Sequence, residues 1–374
     1  MHEIFDVALR SEIDLDGAAY RDLFRRAGEP CFGHPTWLAA LARIFPASRG
    51  GVVRFLVVEE RGTGRLALVL PLFRRSRLGV ELVQSADFGV SDYTGPIAEP
   101  AEIVRLAADP GIRLAIARAV GRPALLRLAR VRDGADDVAH LIGARTSPAP
   151  HAAHAIALPR THAQWRESLS RSTRQALKRR RRQAEAIAPL ALEVVDRAGV
   201  DAALERLLAF RAVRFPASDD ALQRQDGHAF YREVARRGVE DGFVRIYALR
   251  HGERIVAVDY CIVSGGVTCL LLRGITPDAD QALSFGNTLF DEIVGHCIAS
   301  GDRVLDLAAG DEAYKTRFGA IAHPLAIVDA HAGPAGLVIH GAARSARLRA
   351  ALRRLAVAPG ARRAAAPSIV RDAS

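Results

Sequence analysis

The stretch Asp306-Leu307-Ala308-Ala309-Gly310-Asp311-Glu312-Ala313-Tyr314-Lys315-Thr316-Arg317-Phe318-Gly319 concentrates carboxylates, a phenol and an ammonium group in a few positions. Gly310 with Lys315-Thr316 has the outline of a phosphate loop. The glycine before the lysine is missing, however, and Asp311 and Glu312 stand where phosphates would lie, so ATP binding is rejected. Either acidic residue is instead suited to start a short helix, whose positive end favours a carboxylate and whose first turn orients Tyr314 and Lys315. Asp306 alternates with Leu305 and Leu307 on a strand, and Asp259 interrupts the apolar run Ile255–Val263. Each is a candidate base or amine-binding group, and each has the competing reading of a buried ion pair with an arginine. Upstream, Gln281-Ala282-Leu283-Ser284-Phe285-Gly286 opens a long helix. Free N–H groups and the positive helix end favour a phosphate there, with Ser284 able to cap the helix or donate its hydroxyl.

The elements that must position these residues follow from periodicity. The pattern predicts helix over Gln164–Ala188, strand Leu190–Val195, helices Val200–Phe215 and His228–Arg237, and strands Phe243–Leu249, Ile255–Ser264 and Val267–Gly274. A helix over Ser284–Ser300 follows, with Leu289, Phe290, Ile293, Val294, Cys297 and Ile298 on one face and Gly301 as its stop. Strand Arg303–Ala308, short helix Glu312–Phe318 and strand Leu325–Ala330 complete the half. The first half repeats the grammar: helical patterns at Ala18–Ala27 and Thr36–Ile44 precede a hairpin of Val52–Glu59 and Leu66–Leu72 around Glu60-Arg61-Gly62-Thr63-Gly64-Arg65. The repetition predicts a duplicated α/β (α+β) protein of two lobes, each a mixed, mostly antiparallel sheet flanked by helices. The Pro/Ala/His-rich stretch 146–154 is the expected boundary, giving domains 1–150 and 151–335, with a basic helix and flexible tail over 336–374.

Three segments of the second half resemble the GNAT acyltransferase superfamily, specifically its BioF-like, cellulose-biosynthesis-type group related to the Fem enzymes. They are Ser170-Arg171-Ser172-Thr173-Arg174-Gln175-Ala176-Leu177-Lys178-Arg179, the hairpin segment Gly252-Glu253-Arg254-Ile255-Val256-Ala257, and Asp306–Gly319. The first half resembles a degenerate companion lobe, marked by Pro71-Leu72 and Asp92-Tyr93-Thr94-Gly95-Pro96. The resemblance implies tandem GNAT-like lobes with the substrate between them, and an acyl-CoA cosubstrate, acetyl-CoA first, with no metal. Gln281, Ser284, Phe285, Gly286, Asn287 and Arg273 would hold the cosubstrate, although Ser284 replaces the first glycine of the family's pyrophosphate loop. Tyr314 would protonate the leaving thiolate, with Asp306 or Asp259 as base. Lys315, Asp311, Glu312 and Arg174 would meet the acceptor. The implied reaction is N-acylation of an amine on a small molecule or a sugar-linked cell-envelope or polysaccharide precursor. Two alternatives stand beside it: a Fem-type aminoacyltransferase drawing on aminoacyl-tRNA, and a non-catalytic scaffold binding anions or a membrane surface.

Composition narrows the partners. The 374 residues carry 52 Lys+Arg against 42 Asp+Glu, a net charge of +10, and 49% are hydrophobic, enough for real cores. Lysine occurs only at Lys178 and Lys315 and asparagine only at Asn287, so the charge is arginine-biased and is weak testimony for a polyanionic partner. Lys178-Arg179-Arg180-Arg181-Arg182 makes a cationic helix face without interleaved aromatics, and no nucleic-acid partner is expected from it. Gly341–Val357 reads as a second basic helix with a stripe of Leu348, Leu352 and Leu355, suited to packing on the second lobe or to peripheral contact with an anionic membrane. The longest apolar runs are strand-sized, the N-terminus lacks signal-peptide features, and Cys31, Cys261, Cys269 and Cys297 show no metal or redox spacing. The expectation is a cytoplasmic protein with reduced thiols.

Overall fold

The computed structural model describes residues 4–77, 79–214, 224–277, 283–334, 336–338 and 341. The first half runs β1 (Phe5–Arg10), α1 (Ala18–Arg26), α2 (Pro35–Arg49), β2 (Val52–Glu60), β3 (Leu66–Arg77), β4 (Val80–Ser85), α3 (Pro100–Ala108), α4 (Pro110–Val120), β5 (Leu125–Val131), α5 (Ala135–Ile142), β6 (Arg145–Pro148) and β7 (Ala153–Ala157). Two further helices, α6 (His162–Ser168) and α7 (Arg171–Glu185), lead to the second half. It runs β8 (Leu190–Val194), α8 (Val200–Arg214), α9 (Gln225–Gly238), β9 (Val244–His251), β10 (Arg254–Ser264), β11 (Val267–Ile275), α10 (Phe285–Ala299), β12 (Val304–Ala309), α11 (Ala313–Arg317), β13 (Ile321–His323) and β14 (Ala326–His331).

The strands form two seven-stranded sheets, ordered β1-β2-β3-β4-β5-β14-β6 and β8-β9-β10-β11-β12-β7-β13. In each, the first four strands are antiparallel, the fourth and fifth are parallel, and the last two run antiparallel again. The two orders superimpose strand for strand, with one exchange: β7, from the end of the first half, completes the second sheet, and β14 completes the first. The molecule is thus a pair of tandem α/β lobes of one topology that trade one strand each.

Alternation along β10 explains how the lobes meet. Val258, Tyr260 and Ile262 enter a core shared by both lobes, while Ala257 and Cys261 enter the outer core beneath α10. The shared core is aromatic at its centre. Trp37 of α2 meets Phe230 of α9 edge-on at 4.7 Å, and His34 stacks on Phe243 at 3.7 Å.

Two local expectations change. The helix predicted over 164–188 is broken at Leu169-Ser170, because Ser170 accepts the Thr173 amide and caps a new helix, as Thr161 and Gln164 form a capping box for α6. The stretch 146–154 is not free chain, since most of it forms β6 and the start of β7, whose partners come from the far end of the sequence. The basic helix expected over 341–357 lies outside the described residues apart from Gly341.

Because β14 is an inner strand of the first sheet, ending the chain after residue 324 should strip amide protection from β5 and β6 in hydrogen exchange. Unchanged protection there would refute the exchange. The His34 ring carries a second expectation. Burial holds its pKa at about 4, below the ordinary 6.5, and Nδ1 accepts the Thr36 amide. The unfolded chain binds this proton more readily, so the His34 share of stability is whole above about pH 6.5 and is lost as pH falls through about 4. Urea midpoints between pH 7 and 4 should therefore fall less steeply for His34→Phe than for the parent; parallel slopes would contradict it.

Candidate active site

The parallel strands β11 and β12 pair only at Val267–Val304, Thr268–Leu305 and Cys269–Asp306. Beyond that register β11 continues on β10 as far as Ile275, while β12 bends onto β7 through a bulge. Ala308 takes the left-handed conformation at the bulge, φ 60°, a conformation that costs a residue with a Cβ about 1–3 kcal/mol unless its surroundings enforce it. Enforcement comes from Asp306, whose Oδ1 accepts the Ala308 amide at 2.8 Å. The strands therefore part after Cys269 and Asp306, and the facing edges of β11 and β12 are left to pair with something other than each other.

Helix α10 begins at the end of β11. Gly286 is what allows this, because a Cβ there would come to 2.3 Å from Ile275 Cδ1. Ser284 precedes the helix in the left-handed conformation and makes no side-chain cap, so its hydroxyl is not spent on the helix. Phe285 is buried in the outer core, and Asn287 Oδ1 accepts from Arg317 at 3.4 Å. Gln281 lies outside the described residues. The first turn of α10 has no side-chain cap, and its Asn287 and Thr288 amides bond the Ser284 carbonyl.

The three residues singled out as acid or base fall on two faces of the second sheet. Asp259 and Arg273 are register partners on β10 and β11. Asp259 has no exposed surface and spends both oxygens on Arg273, at 2.9 Å for Nε to Oδ1. It cannot reach a substrate proton, and its work is to hold the guanidinium, which lies over the rings of Phe290 and Tyr314 at 5.4 and 5.3 Å. Tyr314 is on this outer face, just past β12. Burial raises its pKa against the pull of Arg273, which keeps the phenol protonated at neutral pH.

Asp306 points the other way, into the shared core, and its partners come from the first lobe. Tyr93 donates to Oδ1 at 2.6 Å and Arg132 donates to Oδ2, with the guanidinium 5.1 Å from the Tyr93 ring. Nearby, Asp92 sits by the Ala309 amide, its pKa pushed up to about 6 by burial against the pull of Arg130 and Lys315. Tyr93 and Asp92 belong to a run that stood out in the sequence without a role. Arg132 is one arginine among many and gave no signal.

The residues expected to meet the acceptor are occupied differently. Lys315 is buried, and its ammonium donates to the carbonyls of Ala308, Ala309 and Gly310 at 3.2, 3.1 and 3.0 Å, with Glu312 paired to it at 3.0 Å. It fastens α11 to the end of β12 instead of offering a free charge. Arg174 donates to the Glu167 and Leu169 carbonyls, closing the end of α6. Asp311 pairs with His151 at 2.8 Å. Glu312 sits at the N-cap of α11. Among the described residues no three His, Cys, Asp or Glu side chains are grouped to hold a metal ion, and no helix is long and apolar enough to cross a membrane.

Residues 171–316, from the start of α7 into α11, match the family model described as acetyltransferase (GNAT) domain. A comparison with curated proteins gives no match. Among solved structures, FemX is similar at TM-score 0.58 and 10% identity over 82% of this chain and 95% of its own. The C-terminal domain of a putative lysylphosphatidylglycerol synthetase from Agrobacterium fabrum gives 0.51 and 13%, over 86% and 96%. A conserved protein of unknown function from Bacteroides thetaiotaomicron VPI-5482 gives 0.53 and 10%, over 87% and 99%. At these identities the likeness is one of fold, across nearly the whole length of each neighbour. The family match spans the fork, the helix at its mouth and Tyr314; residues 171–316 are a GNAT acetyltransferase domain, set in a two-lobed fold that the chain shares with FemX.

Proposed function

We propose that the protein transfers an acyl group, acetyl from acetyl-CoA, to an amine on a small molecule or sugar-linked cell-envelope precursor. The observation that carries this reading is the fork between β11 and β12, flanked on its outer face by Tyr314 and on its inner face by Asp306. Such a fork supplies what acyl transfer needs. Unpaired strand amides can bond the carrier arm and polarise the thioester carbonyl as it becomes an oxyanion, in a site that is largely buried. The first-turn amides of α10, with the Ser284 hydroxyl, would meet the pyrophosphate, and Gly286 keeps the helix close to β11. Attack by the neutral amine forms the C–N bond and breaks the C–S bond; Tyr314 would give its proton to the departing sulfur, and the amine proton passes to a base on the inner face. Asp259 is not that base. Asp306 holds the bulge, and Asp92, next to the Ala309 amide with its pKa raised to about 6 by burial, would be the carboxylate to take the proton.

A second donor is favoured by one feature. Arg171, Lys178, Arg179 and Arg182 are exposed along α7, whose other side packs on α10 through Arg181 and Glu292, and they form a cationic face that would suit an aminoacyl-tRNA.

Acetyl-CoA at one hundred times its dissociation constant should stabilise the full chain by about 2.7 kcal/mol in thermal unfolding, and desulfo-CoA lacking the acyl group serves as comparison. No shift with any CoA thioester, together with acyl transfer from aminoacyl-tRNA, would move the donor assignment to tRNA. Tyr314→Phe should lower kcat about a hundredfold with the donor Kd nearly unchanged. An unchanged kcat removes the phenol from the mechanism.

A further inference from the structure

A cavity of about 530 Å³ lies between the lobes and reaches the fork from its inner face. Its floor is Val267, Cys269 and Asp306, which includes the last register pair before β11 and β12 separate. Its walls belong to the first lobe, and their placement has a topological meaning. They stand at the first lobe's own fork, where β4 and β5 pair only at Leu82–Leu125, Val83–Leu126 and Gln84–Arg127, and where Arg130 takes the left-handed conformation that Ala308 takes in β12. The cavity is therefore the first lobe's counterpart of the donor fork.

It is not built for a second CoA. The helix at its mouth, α3, has Glu99 at its N-cap, Pro100 in the first position, where it supplies no N–H, and Glu102 in the first turn. Neither end of that turn offers a pyrophosphate free donors: Glu99 is paired with Arg26 at 2.6 Å and Glu102 with Arg105. The lining repeats the theme, with Glu29, Asp133, Asp137 and Asp306 set against Arg132 alone, in a protein whose net charge is +10. Most of the remaining wall is apolar, from Leu38, Leu41, Ile97, Ile103, Val104 and Val131, with the hydroxyl side chains Ser85, Ser91, Tyr93 and Thr94 between them. The volume falls in the range of sites for drug-sized ligands, roughly 300–1,000 Å³.

We propose that this cavity is the acceptor site and takes an aliphatic amine on an apolar body, its amino group directed to the floor at Cys269 and Asp306. The assignment rests on the acyl-transfer reading and names the acceptor class for it. An alkylamine arrives as its ammonium ion, drawn by the acidic rim; it loses one proton before attack and a second as the amide forms, while the thiolate leaves as the thiol. One proton is released per turnover. The apolar wall excludes water from the fork, where a thioester would otherwise be hydrolysed.

The test is direct binding without a donor. Octylamine, cationic at pH 7, should bind the full chain in calorimetry at least about tenfold more tightly than octanoate or methylamine. Gly95 lines the cavity, has an ordinary backbone conformation, and a Cβ on it would meet no atom within 4 Å. Gly95→Phe should therefore fold normally, fill the cavity and weaken octylamine at least about tenfold. Gly95→Leu is the companion should the phenylalanine lower the melting temperature. Asp133→Asn with Asp137→Asn, at the rim, should reduce the preference for octylamine over octanoate. Equal binding of octanoate, or octylamine binding that Gly95→Phe and Gly95→Leu leave unchanged, overturns the assignment. Failure of acetyl-CoA to bind while octylamine still binds would strike the donor reading and leave the cavity's ligand class standing.

Discussion

One carboxylate does several jobs that cannot be separated. Asp306 pins the Ala308 amide and so enforces the bulge that turns β12 away from β11; it also receives the Tyr93 hydroxyl and the Arg132 guanidinium from the other lobe. A buried carboxylate carries a desolvation cost that only full hydrogen bonding offsets, so the opening of the fork and the docking of the first lobe on it are bound to one charge. Lys315 backs the arrangement from the other side of the bulge, taking up the three carbonyls that a bent strand leaves without a ladder. Neither group is free to serve as a mobile catalyst.

The two lobes repeat one backbone design and differ in what surrounds the parting strands. In the second lobe a close-packed glycine lets a helix start against the strand end with its amides uncapped. In the first lobe the corresponding helix starts with a proline between two glutamates. The same topology therefore opens on an uncapped helix start in one place and, in the other, on a helix start whose glutamates are paired with Arg26 and Arg105. Pseudo-symmetry brings the two openings to a common floor.

How much of this is legible in the chain depends on whether the signal is local. The hairpins, α10 and α11 follow from periodicity, with Gly301 ending α10, and the alternation around Asp306 correctly marks a carboxylate inside an apolar strand. The break between α6 and α7 is harder, because strong helix formers flank Ser170 and only the cap ends the run. The strands at 145–157 carry little apolar weight of their own and exist because distant segments pair with them. Lys315 stands out by rarity, yet rarity does not say that three carbonyls would claim it. Gly286 is singled out for phosphate approach, while the geometry shows a glycine demanded by Ile275. Arg132 is invisible until its partner is seen, as are all contacts set by the meeting of two lobes.

The exchange of β7 and β14 also orders events in time. During synthesis the first sheet lacks an inner strand until β14 has been made, well after the rest of that sheet, so β5 and β6 emerge with edges that have no partner. The second sheet has the opposite history: its β7 is made before every other strand it contains and must wait for β12. Neither half can fold to completion as an independent unit, and closure depends on contacts between distant parts of the sequence, the kind that slow folding and leave sheet edges open to pairing with other chains. Loss of the short strand β14 in a nascent or cleaved chain would leave the first lobe open beside β5.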